Sequence, residues 1–177
     1  MPEAEYSKSS SSHSKRSLER RVWDIRYNTE LGIRYHMECN GFYERASKVT
    51  ALLSLVTSGT AFVFVLSIPV IGQFLIAITA ILQAYVLVSN VSSKVESHSN
   101  LYRDYLDLKK QIQSLSSPPG EDSVKELEIK RTEIEAREPA VKRALLDCVR
   151  NDANSYLRTG AEQIEISKFR KMTRFFF

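Results

Sequence analysis

Apolar positions along the chain change their period in register with three long segments and a shorter pair. From Leu18 to Lys48 no proline occurs, and Trp23, Tyr27, Leu31, Tyr35, Cys39, Phe42, Ala46 and Val49 recur at steps of four or three. That spacing predicts one face of an amphipathic helix over 18–48. Arg20, Arg21, Asp24, Arg26, Glu30, Arg34, Glu38, Glu44 and Arg45 fill the other faces. The periodicity then disappears. From Val49 to Ser93 there are 45 consecutive positions without Asp, Glu, Lys or Arg. A helix needs about 20 apolar residues to cross a hydrocarbon core, so the run has the length for two spans.

Within it, Ser67-Ile68-Pro69-Val70-Ile71-Gly72-Gln73 reads as a turn. Pro69 removes a backbone donor and disfavours helix at Ile68, and Gly72 permits a reversal. The expectation is a hairpin of spans 49–67 and 73–92. The second span continues as a helix to about Leu115, with Val95, His98, Tyr102, Tyr105, Ile112 and Leu115 on one stripe and Leu101 and Leu108 beside it. Ser116 to Asp122 is a turn signal containing Pro118-Pro119-Gly120. Ser123 with Glu126 has the spacing of a capping box, opening a helix to about Glu138 with Val124, Leu127 and Ile134 inward. Pro139 allows a restart, and a helix from Ala140 to about Leu157 would bury Val141, Leu145, Cys148 and Val149.

The expected fold is therefore an all-α membrane protein, a two-helix transmembrane hairpin whose long helices continue into a cytoplasmic helical bundle. Its parts are a disordered Ser-rich start (1–17), the amphipathic helix (18–48), the hairpin (49–93), the bundle (94–158) and a basic, aromatic tail (159–177). The turn has no Lys or Arg, while Arg34, Arg45, Lys48, Lys94, Arg103, Lys109 and Lys110 flank the other ends of the spans. By the positive-inside rule both termini are expected in the cytoplasm, with the hairpin in a bacterial inner membrane.

Composition alters this picture little. The 25 basic and 21 acidic residues give a net charge of +4, and 177 residues suit one domain. The polar start lacks the apolar core of a cleavable signal peptide, so the first span is expected to act as its own insertion signal. Cys39 and Cys148 are far apart with no partner at metal spacing, and each is read as a buried thiol. Six glycines form no phosphate loop, and no nucleophile elbow or metal motif occurs. The reading is of a non-enzyme with no cofactor. His36 and Cys39, an i, i+3 pair, and His98 are read as packed residues rather than a metal site or a proton gate.

Polar and small residues inside the spans carry the remaining chemistry. Thr79 and Gln83 lie one turn apart, and an amide is costly to leave in hydrocarbon. With Ser54 and Thr57 they are the candidate pore lining, and Lys48 and Lys94 the candidate pore mouth. Gly59, Ala61, Ala80 and Ala84 let helices approach closely and are candidate packing or oligomer contacts, joined by Tyr102 and Tyr105 below the second span. At the end of the chain Lys168, Arg170, Lys171, Arg174, Phe175, Phe176 and Phe177 suit an anionic membrane surface. A flexible tail without a role fits as well, and nucleic acid is disfavoured because a ten-residue tail provides no folded platform.

A helix carrying Arg34-Tyr35-His36, Glu38, Phe42-Tyr43 and Arg45 leads into Val49-Thr50-Ala51-Leu52-Leu53-Ser54, with Ser58-Gly59-Thr60-Ala61 inside the span. In these residues the chain resembles the SLATT family of bacterial two-transmembrane effector domains, over roughly Leu18 to Leu157. The resemblance implies an oligomeric inner-membrane effector in antiviral defence that forms or gates a pore and collapses the membrane potential. It also implies a trigger, either a nucleotide second messenger or a separate cytoplasmic sensor protein, since no sensor or synthase is fused. The expected partners are membrane lipids and further copies of the chain. The alternative reading is a membrane-anchored helical scaffold that binds a cytoplasmic partner.

Overall fold

The structure is a computed structural model that describes residues 3–175, apart from the side chains of 3–15, 61–67, 69, 82, 86, 87 and 89. The described residues form six helices and no strand: α1 (Glu3–Ser67), α2 (Pro69–Ser89), α3 (Val91–Gln113), α4 (Glu121–Glu135), α5 (Arg143–Leu157) and α6 (Lys168–Met172). Two compact units share them. Unit 1 comprises Met1–Met37 and Asn100–Phe177, and unit 2 comprises Glu38–Ser99. Residues 3–17, expected to be disordered, belong to α1, and residues 1 and 2 lie outside the described residues.

The helical character stands, and the membrane reading is corrected. Among the described residues no helix is long and apolar enough to cross a membrane. That overturns the transmembrane hairpin as fold class, the inner-membrane location with cytoplasmic termini, and the channel and pore-forming character that followed from them. The physical reason lies in what an uncharged run measures. Absence of charge is not continuous apolarity: Thr50, Ser54, Thr57, Ser58, Gly59 and Thr60 interrupt the α1 part, and Gln73, Thr79 and Gln83 interrupt α2.

In unit 2 the chain breaks at Ile68, which is extended (φ −141°, ψ 88°), and Pro69 opens α2, where its missing N–H costs nothing. The second helix does not run unbroken to Leu115. Asn90 adopts the left-handed conformation (φ 45°), which Asn tolerates better than most side chains, and separates α2 from α3.

In unit 1 a core of Ile25, Ile33, Leu101, Tyr105, Leu108, Val124, Leu127 and Ile134 joins α1, α3 and α4. On α5, Ala144, Leu145, Cys148, Val149, Ala153 and Asn154 are buried, whereas Val141 precedes the helix and is exposed. The Ser123 capping box does not form, because α4 starts two residues earlier at Glu121, after Gly120. Glu121 and Asp122 place negative charge in that first turn, where the helix dipole favours it. The buried face of α1 is broader than the expected stripe. Trp23 is 48 % exposed, while Thr29, Glu30 and His36 are buried. Each of these polar groups has a partner that makes burial affordable. Thr29 Oγ1 donates to the Ile25 carbonyl at 2.7 Å, Glu30 pairs with Lys109, and His36 meets Glu138.

Candidate functional site

Unit 1 holds a cluster of aromatic and ionisable side chains where the loop after α4 meets α1. The Glu138 carboxylate is its centre: the Tyr105 hydroxyl donates to Oε1 at 2.7 Å, and His36 Nε2 lies 3.0 Å from the same oxygen. His36 stacks on the Tyr105 ring with centroids 5.7 Å apart, and Tyr35 packs edge-on against His36 at 5.2 Å. One position further round α1, the Tyr35 hydroxyl accepts the Lys142 backbone N–H at 2.9 Å. Two neighbouring residues of α1 thus hold both ends of the segment between α4 and α5. Burial, and then the hydrogen bond to Glu138, push the Tyr105 hydroxyl far above the usual phenol range, so it stays a proton donor. Beside the cluster is a groove of about 290 Å³ whose walls include Asn28, Leu31, Gly32 and Glu135.

Around this centre α1 is tied to α4 and α5. Arg21 grips Glu128 of α4 through Nε and Nη2 at 2.8 and 2.7 Å. Tyr27, stacked on Trp23, donates to Asn154 of α5 at 2.9 Å. The Arg34 guanidinium lies 4.7 Å from the centre of the Tyr156 ring. Sequence reasoning singled out Tyr102 and Tyr105 but missed Glu138, Gly32 and Arg21. Nothing in the local pattern marks a loop carboxylate as the acceptor for residues 33 and 102 positions away.

In unit 2, Ser54 and Gln83 line a common cavity of about 380 Å³, together with Ser47, Thr50, Ser58 and Ser92. The Ser54 hydroxyl is buried there without a hydrogen-bond partner among the described residues. Thr57 and Thr79 do not join them; their hydroxyls bond back to the Leu53 and Leu75 carbonyls at 2.6 and 2.9 Å. Lys48 pairs with Glu44 at 2.7 Å on the helix surface, and Lys94 lies 5.6 Å from the Tyr43 ring centre. Buried His98 stacks on the same ring at 5.6 Å. Gly59, Ala80 and Ala84 are exposed, and a β-carbon added at Gly59 meets nothing within 4 Å. The Ala61 side chain lies outside the described residues.

The basic tail is partly helical. Lys168, Arg170 and Lys171 belong to α6, capped by Ser167, whose hydroxyl accepts the Arg170 N–H at 3.3 Å. Arg170 pairs with Asp147 of α5 at 3.0 Å, and Arg174 covers the Phe175 ring at 4.9 Å. Phe176 and Phe177 lie outside the described residues. Both cysteines are buried free thiols. Among the described residues no group of three His, Cys, Asp or Glu side chains could hold a metal ion. No family model matches the chain, and neither curated proteins nor solved structures give a match, so the resemblance to the SLATT family rests on the residues quoted for it.

Proposed function

We propose that the chain is a non-enzymatic, self-assembling helical scaffold, in which unit 2 packs against unit 2 of further copies and unit 1 is the body so gathered. One observation carries this reading. On α2, Phe74, Ile78, Ile81, Tyr85 and Val88 follow steps of four, three, four and three, the heptad spacing of a helix that packs on helices. Phe74, Ile81, Tyr85 and Val88 are between 63 % and 83 % exposed. On α1, Val49, Leu52 and Val56 continue the same period and are exposed too, with Gly59 next in the series.

A single folded chain rarely leaves an apolar stripe of this length in water. A surface without charge on any face asks for an equally uncharged partner, and unit 2 of a second copy supplies one with the same period. The test is sedimentation of the purified full chain. Wild type should exceed the monomer mass, and Phe74→Glu combined with Ile81→Glu should reduce it to monomer with unchanged helix content. A monomeric wild type, including one that floats with lipid vesicles, overturns the reading, as does a double variant that assembles like wild type.

A further inference from the structure

The basic end of the chain builds one wall of a second cavity, in unit 1. It measures about 360 Å³ and is bounded by α5 on one side and by the segment Gln163–Arg174 on the other. Its construction is specific. The Asn151 side chain makes two bonds to one residue, donating to the Ile164 carbonyl and accepting the Ile164 N–H, each at 2.8 Å. This clamps the segment to α5, the Asp147 to Arg170 ion pair fixes α6, and Ser167 caps it. Lys171, on α6, and Arg174, two residues past its end, thereby line the cavity with Asp152, Ser155 and Gln163. The Lys171 ammonium has no hydrogen-bond or ion-pair partner among the described residues.

We propose that this cavity binds a phosphomonoester with a hydroxylated carbon skeleton, of the sugar phosphate class. Two cations lining one cavity match a dianionic phosphate, with the arginine able to grip two of its oxygens and the lysine acting as a point charge. The volume exceeds what a bare phosphate fills. The remaining groups set the skeleton: Asp152 accepts hydroxyl donors, Gln163 both donates and accepts, Ser155, whose proton goes to the Asn151 carbonyl at 2.9 Å, accepts, and Ile164 and Ile166 offer apolar contact to carbon. Asp152 also opposes a bare anion, which turns the site towards a ligand whose hydroxyl groups it can bind.

Calorimetric titration of the full chain tests this with ribose 5-phosphate, ribose, inorganic phosphate and glycerol 3-phosphate. Ribose 5-phosphate should bind, ribose should not, and Lys171→Ala should weaken binding at least tenfold while Lys171→Arg restores most of it. Asp152→Asn should raise the affinity for inorganic phosphate and shrink the preference for ribose 5-phosphate, a gain that misfolding cannot imitate. No heat from ribose 5-phosphate at millimolar concentration, or equal binding by Lys171→Ala, overturns the proposal. Tighter binding of glycerol 3-phosphate, the chemistry of a lipid headgroup, overturns its assignment to a soluble sugar phosphate. The assembly state in the absence of ligand is a separate measurement, so failure here leaves the scaffold reading untouched.

Discussion

Gly32 faces the Tyr105 ring so closely that a β-carbon at position 32 would sit 2.6 Å from its Cε2 and Cζ atoms. The ring has little freedom to yield, since its hydroxyl is bonded to Glu138 and its face is stacked on His36. Gly32→Ala should therefore destabilise unit 1 by about 2 kcal/mol, the usual cost of overpacking a core. Chemical denaturation measures it. Combining it with Tyr105→Leu, which removes the clashing ring, should cost less than the sum of the two single changes, and strict additivity would rule out the clash.

Tyr105 and His36 converge on one oxygen of Glu138, so their contributions should be coupled. Tyr105→Phe and Glu138→Gln are each expected to cost about 1–3 kcal/mol, as for hydrogen bonds to a partly buried charged group. In a double-mutant cycle the pair should show an interaction of about 1 kcal/mol. Additivity within a few tenths would mean that the bond contributes nothing to stability.

The Arg21 guanidinium, by its hydrogen bonds, holds the Glu128 carboxyl below its ordinary range. A depressed carboxyl stabilises the fold above the pKa of the unfolded chain, about 4.3 for Glu, and that contribution is lost as pH falls through the lower folded value. Wild type should thus lose stability more steeply in acid than Arg21→Met, and the two should run parallel above pH 6. The group is partly solvated, so the difference should also shrink with added salt.

How much of this was legible in the sequence depended on whether burial followed hydrophobicity. Val124, Leu127, Ile134, Leu145, Cys148 and Val149 were found by helical period, because their burial is a matter of apolar area. Thr29 and Glu30 fall outside that pattern, because a polar side chain is buried only when it meets a partner: the Ile25 carbonyl one turn back for Thr29, and Lys109 far along the chain for Glu30. The α2–α3 break escaped notice for a related reason. Asn90 is a single left-handed residue inside an otherwise continuous pattern, and hydrophobic period does not register one dihedral angle. Ser54 and Gln83 share one cavity, and the absence of charge around them does not amount to membrane-spanning apolarity.

Arg158 ends α5 in the left-handed region (φ 51°), where a β-carbon is unfavourable. Its N–H still bonds to the Asn154 carbonyl, so the cap geometry is intact. Arg158→Gly should relieve the backbone and stabilise unit 1 by about 1 kcal/mol, readable as a raised Tm. A neutral or negative effect would show that the arginine side chain contributes more than the backbone loses.

Gly59 offers the sharpest separation of folding from assembly. A β-carbon there meets nothing within 4 Å and leucine is the better helix former, so Gly59→Leu should leave the monomer folded and no less stable. If copies pack along the α1 stripe, it should nevertheless reduce the oligomer fraction at least tenfold at a fixed concentration, as measured by sedimentation. An unchanged distribution would exclude α1 from the contact.

Unit 1 is assembled from two stretches separated by the whole of unit 2, and this sets an order of events during synthesis. Arg21, Tyr27 and His36 leave the ribosome early, but Glu128, Glu138 and Asn154 follow more than 100 residues later. At about 5–20 residues per second the early half of α1 waits for several seconds or more without its partners. Unit 2 is completed within that interval, once Ser99 has emerged and before Glu128 follows. Its hairpin also shortens the loop that α1 and α3 must close, which for an unstructured insert of this length would cost about 4 kcal/mol in chain entropy. Neighbouring nascent chains on one message would therefore present unit 2 to each other before either had finished unit 1, favouring partners made from the same transcript.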